Sequence, residues 1–337
     1  MSKPSDRQPN PDRRNFMGAG LIAGGALLGG AALGLMPDTS QAAPSRGKTR
    51  VDPRLADKFR DPEWNRDAYA RLLGHMDFKS QKHGWYNGVV HGVRDGEAIK
   101  PLMGFEGFSA ARVIDNGDGT YQKLLRETVF YKDLETGEVL EEYTNPYTNE
   151  TVKVVPVYND PFNHLIRTIY PQPPNYGGLN KEKRPEIPFI LPWKVTEADT
   201  VTLASDIHLF YPSALQPDKW PRESAGKMNR VSEMFRFVIR REDIEDDSNL
   251  SINYSGSWGR ITPWLPWMLM GQSDGHIYYQ GTMGGFSNFD MVSPQVMEYG
   301  KKHFPNYFTA PDKWEEPSLS SLENYARQQK PAPVRAG

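Results

Sequence analysis

The sequence KPLMGFEGFSAARVIDNGDGTYQKLLRETVFY, residues 100–131, contains two strand-like runs on either side of a turn. Residues 100–114 and 121–131 are rich in the aromatic and β-branched side chains that favour strands. Between them lies Asn116-Gly117-Asp118-Gly119, and Asn-Gly or Asp-Gly between two such runs is a strong hairpin signal. The stretch therefore predicts two long antiparallel strands.

Further short strands are predicted on both sides of this hairpin, and helical patterns are few. The predicted strands cover residues 85–93, 139–143, 151–158, 200–211, 229–241, 250–261 and 276–283, and the predicted helices cover residues 61–76, 294–303 and 318–329. This content predicts a mainly β protein, an antiparallel meander that closes into a single calycin- or lipocalin-like barrel of about eight to ten strands with a few short helices. Two packed sheets are the alternative.

The N-terminus has the pattern of an export signal. Arg13 and Arg14 precede an uncharged run, and small residues at Ser40 and Ala42 suit cleavage after Ala42. Two arginines followed by a polar and then an apolar residue resemble a twin-arginine signal. We therefore expect export by the twin-arginine translocase, a periplasmic location and no stable membrane insertion of the mature chain. A retained membrane anchor is the alternative, which the many glycines of the run disfavour.

The rest of the chain divides by composition into a flexible N-terminal segment at residues 43–60, a barrel domain at 61–311 and a C-terminal tail at 312–337. A Pro- and Gly-rich stretch at 171–192 is expected to be a long loop or a linker.

The charge and cysteine content of the chain exclude several classes of function. The formal net charge is −2, which gives no electrostatic reason to expect nucleic acid as a partner. The chain has no cysteine, which excludes thiol chemistry and cysteine-ligated metals. It also lacks a nucleophile elbow, a phosphate loop and a dinucleotide fingerprint. We therefore expect no organic cofactor and no metal.

Several turn and aromatic motifs carry a resemblance to a known family. They are Tyr131-Lys132-Asp133-Leu134-Glu135-Thr136-Gly137-Glu138-Val139-Leu140, Asn145-Pro146-Tyr147-Thr148, Tyr158-Asn159-Asp160-Pro161, Trp258 and Pro263-Trp264-Leu265-Pro266-Trp267. With them the chain resembles the family called domain of unknown function 1838, over roughly residues 59–311. The resemblance implies twin-arginine export and is consistent with the barrel, but it supplies no activity and no catalytic residues.

Three charged residues stand among apolar neighbours on the two strands of the central hairpin. Glu106 and Arg112 share a face with Phe108, and Arg126 shares a face with Phe130. A charge among apolar neighbours must be paired or must bind something. Glu106 and Arg126 are therefore candidate catalytic residues and Arg112 a candidate binding residue, with an interior salt bridge as the alternative.

His208 is the third candidate catalytic residue. It lies two residues after Asp206 on a predicted strand, so both side chains point the same way and the carboxylate would make the imidazole a base near neutral pH. The other face of this strand is the more apolar one. If that face fills the core, His208 and Asp206 form a pair that faces solvent.

The densest aromatic segment is WGRITPWLPWMLMG, residues 258–271. Its tryptophans suit a flat apolar ligand and Arg260 suits a polar anchor, which makes Trp258, Arg260, Trp264 and Trp267 candidate binding residues. His276 and Tyr278 follow on one strand and are added to them. Core packing of the tryptophans, or an exposed apolar loop, are the alternatives.

These features lead to two functional hypotheses. The first is a cofactor-independent lyase, isomerase or hydrolase that acts on a small hydrophobic or aromatic molecule inside the barrel. The second is a lipocalin-like protein that binds such a molecule without changing it. Several titratable groups converging inside one cavity would favour the enzyme, and a single charge in an apolar lumen would favour the carrier.

Overall fold

The computed structural model describes residues 51–170, 185–313 and 320–334, with the side chains of residues 159–163 excepted. The signal predicted at residues 1–42, residues 43–50 of the segment 43–60 and residues 171–184 of the Pro- and Gly-rich stretch lie outside these ranges. The described part is built on one nine-stranded antiparallel sheet and one small two-stranded sheet. The mainly β class, the antiparallel pairing and the small number of short helices are therefore confirmed.

The large sheet joins two meanders through the first and last strands of the chain. In spatial order its strands are β6, β3, β2, β1, β11, β10, β9, β8 and β7, while β4 and β5 form the small sheet. Their bounds are β1 Lys82–Val93, β2 Lys100–Asp115, β3 Tyr121–Lys132, β4 Glu142–Asn145, β5 Glu150–Lys153, β6 Val157–Ile166, β7 Lys194–Val195, β8 Thr200–Pro212, β9 Met228–Arg240, β10 Tyr254–Thr262 and β11 His276–Phe286.

The central hairpin forms as the sequence predicts. Strands β2 and β3 pair without a break from Gly104 opposite Lys132 to Asp115 opposite Tyr121. Gly117 and Gly119 both have positive φ, at 75° and 83°, in the turn between them. Glycine adopts this left-handed backbone at low cost, so the turn sequence fixes the register of the hairpin.

The two edge strands of the large sheet, β6 and β7, are not paired with each other in the described residues. A closed barrel is therefore not confirmed. The segments that follow β6 and precede β7 do meet, since Tyr170 N donates to Ile187 O at 2.9 Å and Phe189 N donates to Thr168 O at 2.8 Å. These bonds tie the two edges together through backbone outside the strands.

Four α-helices complete the described fold: α1 Pro62–Leu73, α2 Arg241–Glu245, α3 Pro294–His303 and α4 Ser321–Gln328. The Asp61 side chain accepts a hydrogen bond from Glu63 N and Pro62 occupies the first turn, which starts α1 where the sequence predicts it. In the described residues no helix is long and apolar enough to cross a membrane. Residues 51–60, assigned by composition to a flexible segment, bury Leu55 and Phe59 in the core.

Strands β2 and β3 are buried on both faces, which separates two hydrophobic cores. On one face Phe105 and Tyr131 belong to the main core. On the other face Phe108 and Phe130 pack against α3 and the 3-10 turn Pro305–Phe308, and Phe108 lies 4.4 Å from the Phe308 ring, centroid to centroid. We call the face that carries Phe105 and Tyr131 the inner face, and the face that carries Phe108 and Phe130 the outer face.

A glycine on β10 gives a direct test of how closely the strands pack. A Cβ at Gly256 would overlap the backbone oxygen of Arg236, whereas a Cβ at Gly104 on β2 would have its nearest neighbour at 3.5 Å. We expect Gly256→Ala to lower the free energy of unfolding by about 1–3 kcal/mol, because strand backbone must move. Chemical denaturation measures the change. Gly104→Ala is the control, and an equal loss in both variants would contradict the packing argument.

Candidate functional site

One cavity opens at the inner face and receives side chains from strands far apart in the sheet. Val157 on β6, Tyr131 on β3, Tyr279 on β11, Arg260 on β10 and Tyr211 on β8 all line it. Strands β6 and β8 lie at positions one and eight of nine in the sheet. The sheet must therefore curve strongly so that both ends reach the same space. That space, counted with its opening to solvent, is about 780 Å³.

Two tryptophans from the segment after β10 form an apolar wall of the cavity. Trp267 packs edge-on against Tyr131 with ring centroids 5.2 Å apart, and Trp264 donates from Nε1 to Ser273 O at 3.1 Å. Asn145 on β4 donates to Met268 O at 2.9 Å and so anchors the same segment. The wall is held by hydrogen bonds at both ends as well as by packing.

A buried ion pair stands at one side of the cavity. Arg260 Nη1 donates to Glu233 Oε1 at 3.0 Å, and the two residues are 6% and 0% exposed. Arg260 lines the cavity and Glu233 on β9 lies behind it. Burial raises the pKa of the Glu233 carboxyl, and the charge of Arg260 opposes that rise. Within the part of the chain that the structure describes, Glu233 Oε2 and Arg260 Nε have no hydrogen-bond partner.

Two tyrosine hydroxyls meet beside this ion pair. The hydroxyl oxygens of Tyr131 and Tyr279 lie 2.8 Å apart although two strands separate β3 from β11. Burial raises the pKa of Tyr131 to about 12, with hydrogen bonding to Tyr279 and the charge of Arg260 opposing the rise. Burial raises the pKa of Tyr279 well above its usual value. Both phenols are therefore neutral proton donors at physiological pH.

The carboxylate of Glu223 also lines the cavity. Glu223 is 4% exposed, its Oε1 accepts a hydrogen bond from Ala332 N at 2.6 Å, and its Oε2 has no hydrogen-bond partner among the residues that the structure describes. An unpartnered buried carboxylate oxygen beside open space is a candidate proton acceptor.

The C-terminal helix α4 covers one side of the cavity. Ser321, Leu322 and Tyr325 of α4 line it, and Asn324 donates to Tyr158 O at 2.9 Å, which fixes the helix to β6. Residues 312–337, assigned by composition to a tail, thus include part of the cavity wall.

A comparison with protein families identifies the chain. The model of a family described as a protein of unknown function, DUF1838, matches residues 79–329, well over half of the chain. The chain belongs to the DUF1838 family. This confirms the resemblance drawn from the sequence motifs, and the matched residues include α4. A comparison with curated proteins finds no match.

Three of the predicted site residues of this DUF1838 protein come together in the cavity: Arg260, Trp264 and Trp267. Trp258 lies close by in the core, where its ring contacts Tyr279 and Phe105 at centroid distances of 5.5 and 5.8 Å. The aromatic segment therefore supplies both cavity wall and core, the two interpretations that the sequence left open.

His276 and Tyr278 are not brought to the cavity. Successive strand residues point to opposite faces, and on β11 it is Tyr279 that reaches the cavity. The Tyr278 ring lies instead 5.9 Å from that of His91. His276 and Tyr278 therefore lie on the strand that contributes Tyr279 to the cavity, but on its opposite face.

Glu106, Arg112 and Arg126 lie on the outer face, away from the cavity. Opposite residues of an antiparallel pair share a face, and Glu106 lies opposite Phe130 in the outer core, whereas Tyr131 lies opposite Phe105 in the inner core. Arg126 donates to the backbone oxygens of Asn306 and Thr309 at 3.4 and 3.3 Å, and Arg112 is half-buried.

Glu106 is held by a complete set of donors. Lys132 Nζ lies 2.8 Å from Oε2, Ser293 donates from N at 2.8 Å and from Oγ at 2.6 Å, and Trp85 donates at 3.1 Å. Burial opposes the charged form, but these bonds outweigh it and lower the pKa of Glu106. The carboxylate fastens the start of α3 to β2, which is a structural role.

His208 and Asp206 face solvent on β8. His208 Nδ1 lies 3.0 Å from Ser232 Oγ, and Asp206 pairs with Arg236 at 2.5 Å. The alternate residues Leu203, Ile207 and Leu209 are buried, so the apolar face fills the core. His208 and Asp206 therefore face solvent, which is the alternative that the sequence pattern left open for them.

Five further residues of this region are not among the predicted site residues: Tyr131, Tyr211, Glu223 and Tyr279, which line the cavity, and Glu233, which lies behind Arg260. Glu233 had a readable signal, because it interrupts the buried alternation of Val231, Phe235, Phe237 and Ile239 on β9. Glu223 lies outside regular structure in a segment with no periodic pattern, and no sequence signal marks it.

Other buried charges lie elsewhere in the described residues. Lys82 donates to the backbone oxygens of Ile252 and Arg71 and to Ser251 Oγ, and burial lowers its pKa to about 7. These bonds join β1 to the end of α1 and to the segment before β10. Among residues 51–170, 185–313 and 320–334, no three His, Asp or Glu side chains are grouped to hold one metal ion.

The structural role of Glu106 predicts a loss of stability on substitution. We expect Glu106→Gln to lower the free energy of unfolding at neutral pH by roughly 2–4 kcal/mol, because the half-buried Lys132 loses its anion and the buried amide donor of Gln faces other donors. Because the folded-state pKa of Glu106 is lowered, this stabilisation is present above the unfolded-state pKa and is lost as pH falls through the folded-state value. Denaturation at neutral and acid pH measures both effects.

The control for this variant is Asp206→Asn, which removes an exposed ion pair with Arg236 and should cost less than about 1 kcal/mol. Equal stability losses in the two variants, or a Glu106→Gln loss that grows in acid, would contradict the structural assignment.

Proposed function

We propose that this DUF1838 protein is an exported periplasmic enzyme that carries out acid–base chemistry, without an organic cofactor, on a small hydrophobic or aromatic molecule in the cavity. The observation that supports this most is the convergence of Glu223, Arg260 and the Tyr131–Tyr279 pair on one largely apolar space. Several titratable groups in one cavity are typical of catalysis more than of simple carriage.

In this proposal Glu223 accepts a proton from the bound molecule. In the described residues its Oε2 carries no competing hydrogen bond, while Ala332 N donates to Oε1 and holds that oxygen in place. Arg260 stabilises the negative charge that proton removal leaves on the molecule, and Tyr131 donates a hydrogen bond or returns a proton. Trp264 and Trp267 position a flat framework. Proton transfers of this kind serve lyases, isomerases and hydrolases.

We further propose that the curved sheet encloses this cavity as a calycin-like barrel whose edges are joined without a regular strand pair. The backbone bonds between residues 168–170 and 187–189 support it, as do the cavity contributions of β6 and β8. Such a barrel holds one small ligand.

A lipocalin-like carrier is the second candidate function. The wall of Val157, Leu215, Trp264 and Trp267 favours it, because an apolar cavity holds a ligand whether or not chemistry follows. The two functions differ in what Glu223 does, since a carrier has no need of a proton acceptor.

Substitution of Glu223 distinguishes them. Native mass spectrometry of protein from its host identifies the retained molecule, and incubation with that molecule measures turnover. We expect Glu223→Gln to retain the molecule and to lower turnover by about 10²- to 10⁴-fold, because the amide still accepts from Ala332 N but takes up no proton.

The exposed Glu142 on β4 supplies the control variant, and Glu142→Gln should change neither property. Turnover that survives Glu223→Gln would overturn the assignment of Glu223 as the proton acceptor. Retention of the molecule with no turnover by the unmodified protein would establish the carrier.

Export has its own test. We expect the protein in the periplasmic fraction to have the mass of residues 43–337, and we expect replacement of both Arg13 and Arg14 by lysine to keep it in the cytoplasm. Arg7→Lys, outside the arginine pair, is the control. A full-length mass in the periplasmic membrane would favour the retained anchor.

A further inference from the structure

The Tyr131–Tyr279 pair leaves one proton without an acceptor in the protein. Two hydroxyls carry two protons, and their mutual contact at 2.8 Å uses one of them. Among the residues that the structure describes, neither hydroxyl has a further acceptor within hydrogen-bond distance. Both residues are 1% exposed and both line the cavity, so the remaining proton is available to a molecule bound there.

The Tyr131 ring packs against the cavity wall, with its centroid 5.2 Å from that of Trp267, whereas the Tyr279 ring packs against Trp258 in the core. Either hydroxyl can donate to the other. When Tyr279 donates, the Tyr131 O–H remains for a molecule in the cavity and is polarised by the bond it accepts. A hydroxyl polarised in this way is a stronger donor than an isolated tyrosine.

Arg260 adds positive charge beside this donor. Its described hydrogen bond to Glu233 uses one N–H on Nη1, and Nε is buried without a partner. A buried guanidinium with unused donors favours an anionic acceptor. Trp264 and Trp267 bound the same space, which suits a flat apolar framework.

We infer that Tyr131, supported by Tyr279 and Arg260, is an oxyanion site that selects molecules whose acidic oxygen is conjugated to a flat apolar framework, namely phenols and enols bound as their anions. The inference rests on the cavity of the proposed function and names its substrate class. Charge delocalised over such a framework is desolvated at lower cost than the localised charge of a carboxylate.

Three probes of matched size test the oxyanion site with the full mature protein. They are para-nitrophenol, para-nitroanisole, whose oxygen is methylated, and para-nitrobenzoate. We expect para-nitrophenol to bind at least about tenfold more tightly than para-nitroanisole. Its visible phenolate absorbance should also rise on addition of protein at a pH below its pKa in water, because the site stabilises the anion.

Two tyrosine variants and a control variant show which hydroxyl causes the binding and the absorbance change of para-nitrophenol. We expect Tyr131→Phe to weaken para-nitrophenol binding by about tenfold and to abolish the phenolate absorbance change, with little effect on para-nitroanisole. Tyr279→Phe should reduce the absorbance change by a smaller factor, because it removes only the support of the donor. Tyr278→Phe alters the neighbouring tyrosine on the opposite face of β11, which does not line the cavity, and should leave both probes unchanged.

Equal affinity for para-nitrophenol and para-nitroanisole would overturn the inference, as would tightest binding of para-nitrobenzoate. An absorbance change that survives Tyr131→Phe would overturn it too. If any of these contrary binding results is found together with a loss of turnover in Glu223→Gln, the proposed enzyme is supported and the oxyanion site is rejected. If para-nitrophenol binds as expected but the retained molecule is not turned over, the oxyanion site stands and the proposed enzyme falls.

Discussion

The ion pair between Arg260 and Glu233 sets the electrostatics of the cavity. Taking each ion out of water costs several kcal/mol, and a single hydrogen bond of 3.0 Å between them leaves Glu233 Oε2 and Arg260 Nε unpartnered. Apolar residues of similar volume would serve stability as well or better at this position. The pair is thus explained by its charge: Glu233 holds the guanidinium in place from behind, while the guanidinium faces the cavity and acts on the Tyr131–Tyr279 pair beside it.

The curvature of the sheet makes this arrangement possible. Tyr131 and Tyr279 are separated by two intervening strands, yet their hydroxyls touch, which a flat sheet does not allow because neighbouring strands lie about 4.8 Å apart. The pairing of β1 with β11 places the first and last strands at the middle of the sheet and leaves β6 and β7 at its edges. Outer-face packing by α3, fastened through Glu106, buries the convex side of β2 and β3 and so stabilises the bend.

Local pattern predicted most strands and the class of the fold, because the hairpin at residues 100–131 and the start of α1 depend on nearby residues alone. Local pattern did not predict which face of a strand points to the cavity, because that depends on residues far away in the sequence. Glu106 and Arg126 were chosen because they stand among apolar side chains, but β2 and β3 are buried on both faces, so apolar neighbours do not identify the inner one. Tyr278 was chosen in place of Tyr279 for a related reason, because a shift of one residue along a strand exchanges the two faces of the sheet.

The sequence pattern also joined residues 151–158 into one strand. In the structure β5 ends at Lys153 and β6 begins after Pro156, which has no N–H to donate to a neighbouring strand.

Glu223 illustrates a limit of a different kind. Its carboxylate lines the cavity beside α4, and its Oε1 accepts from Ala332 N, a contact between residues 109 positions apart that no local pattern predicts. The same C-terminal segment is bonded to Arg222, which donates to Pro333 O at 3.2 Å and pairs with Glu150 on β5. Glu223, α4 and the small sheet are therefore connected through the C-terminal segment. Under the proposed function, a change in the position of that segment would move the carboxylate of Glu223, whereas the hydroxyl pair on β3 and β11, which makes no hydrogen bond with it in the described residues, would keep its geometry.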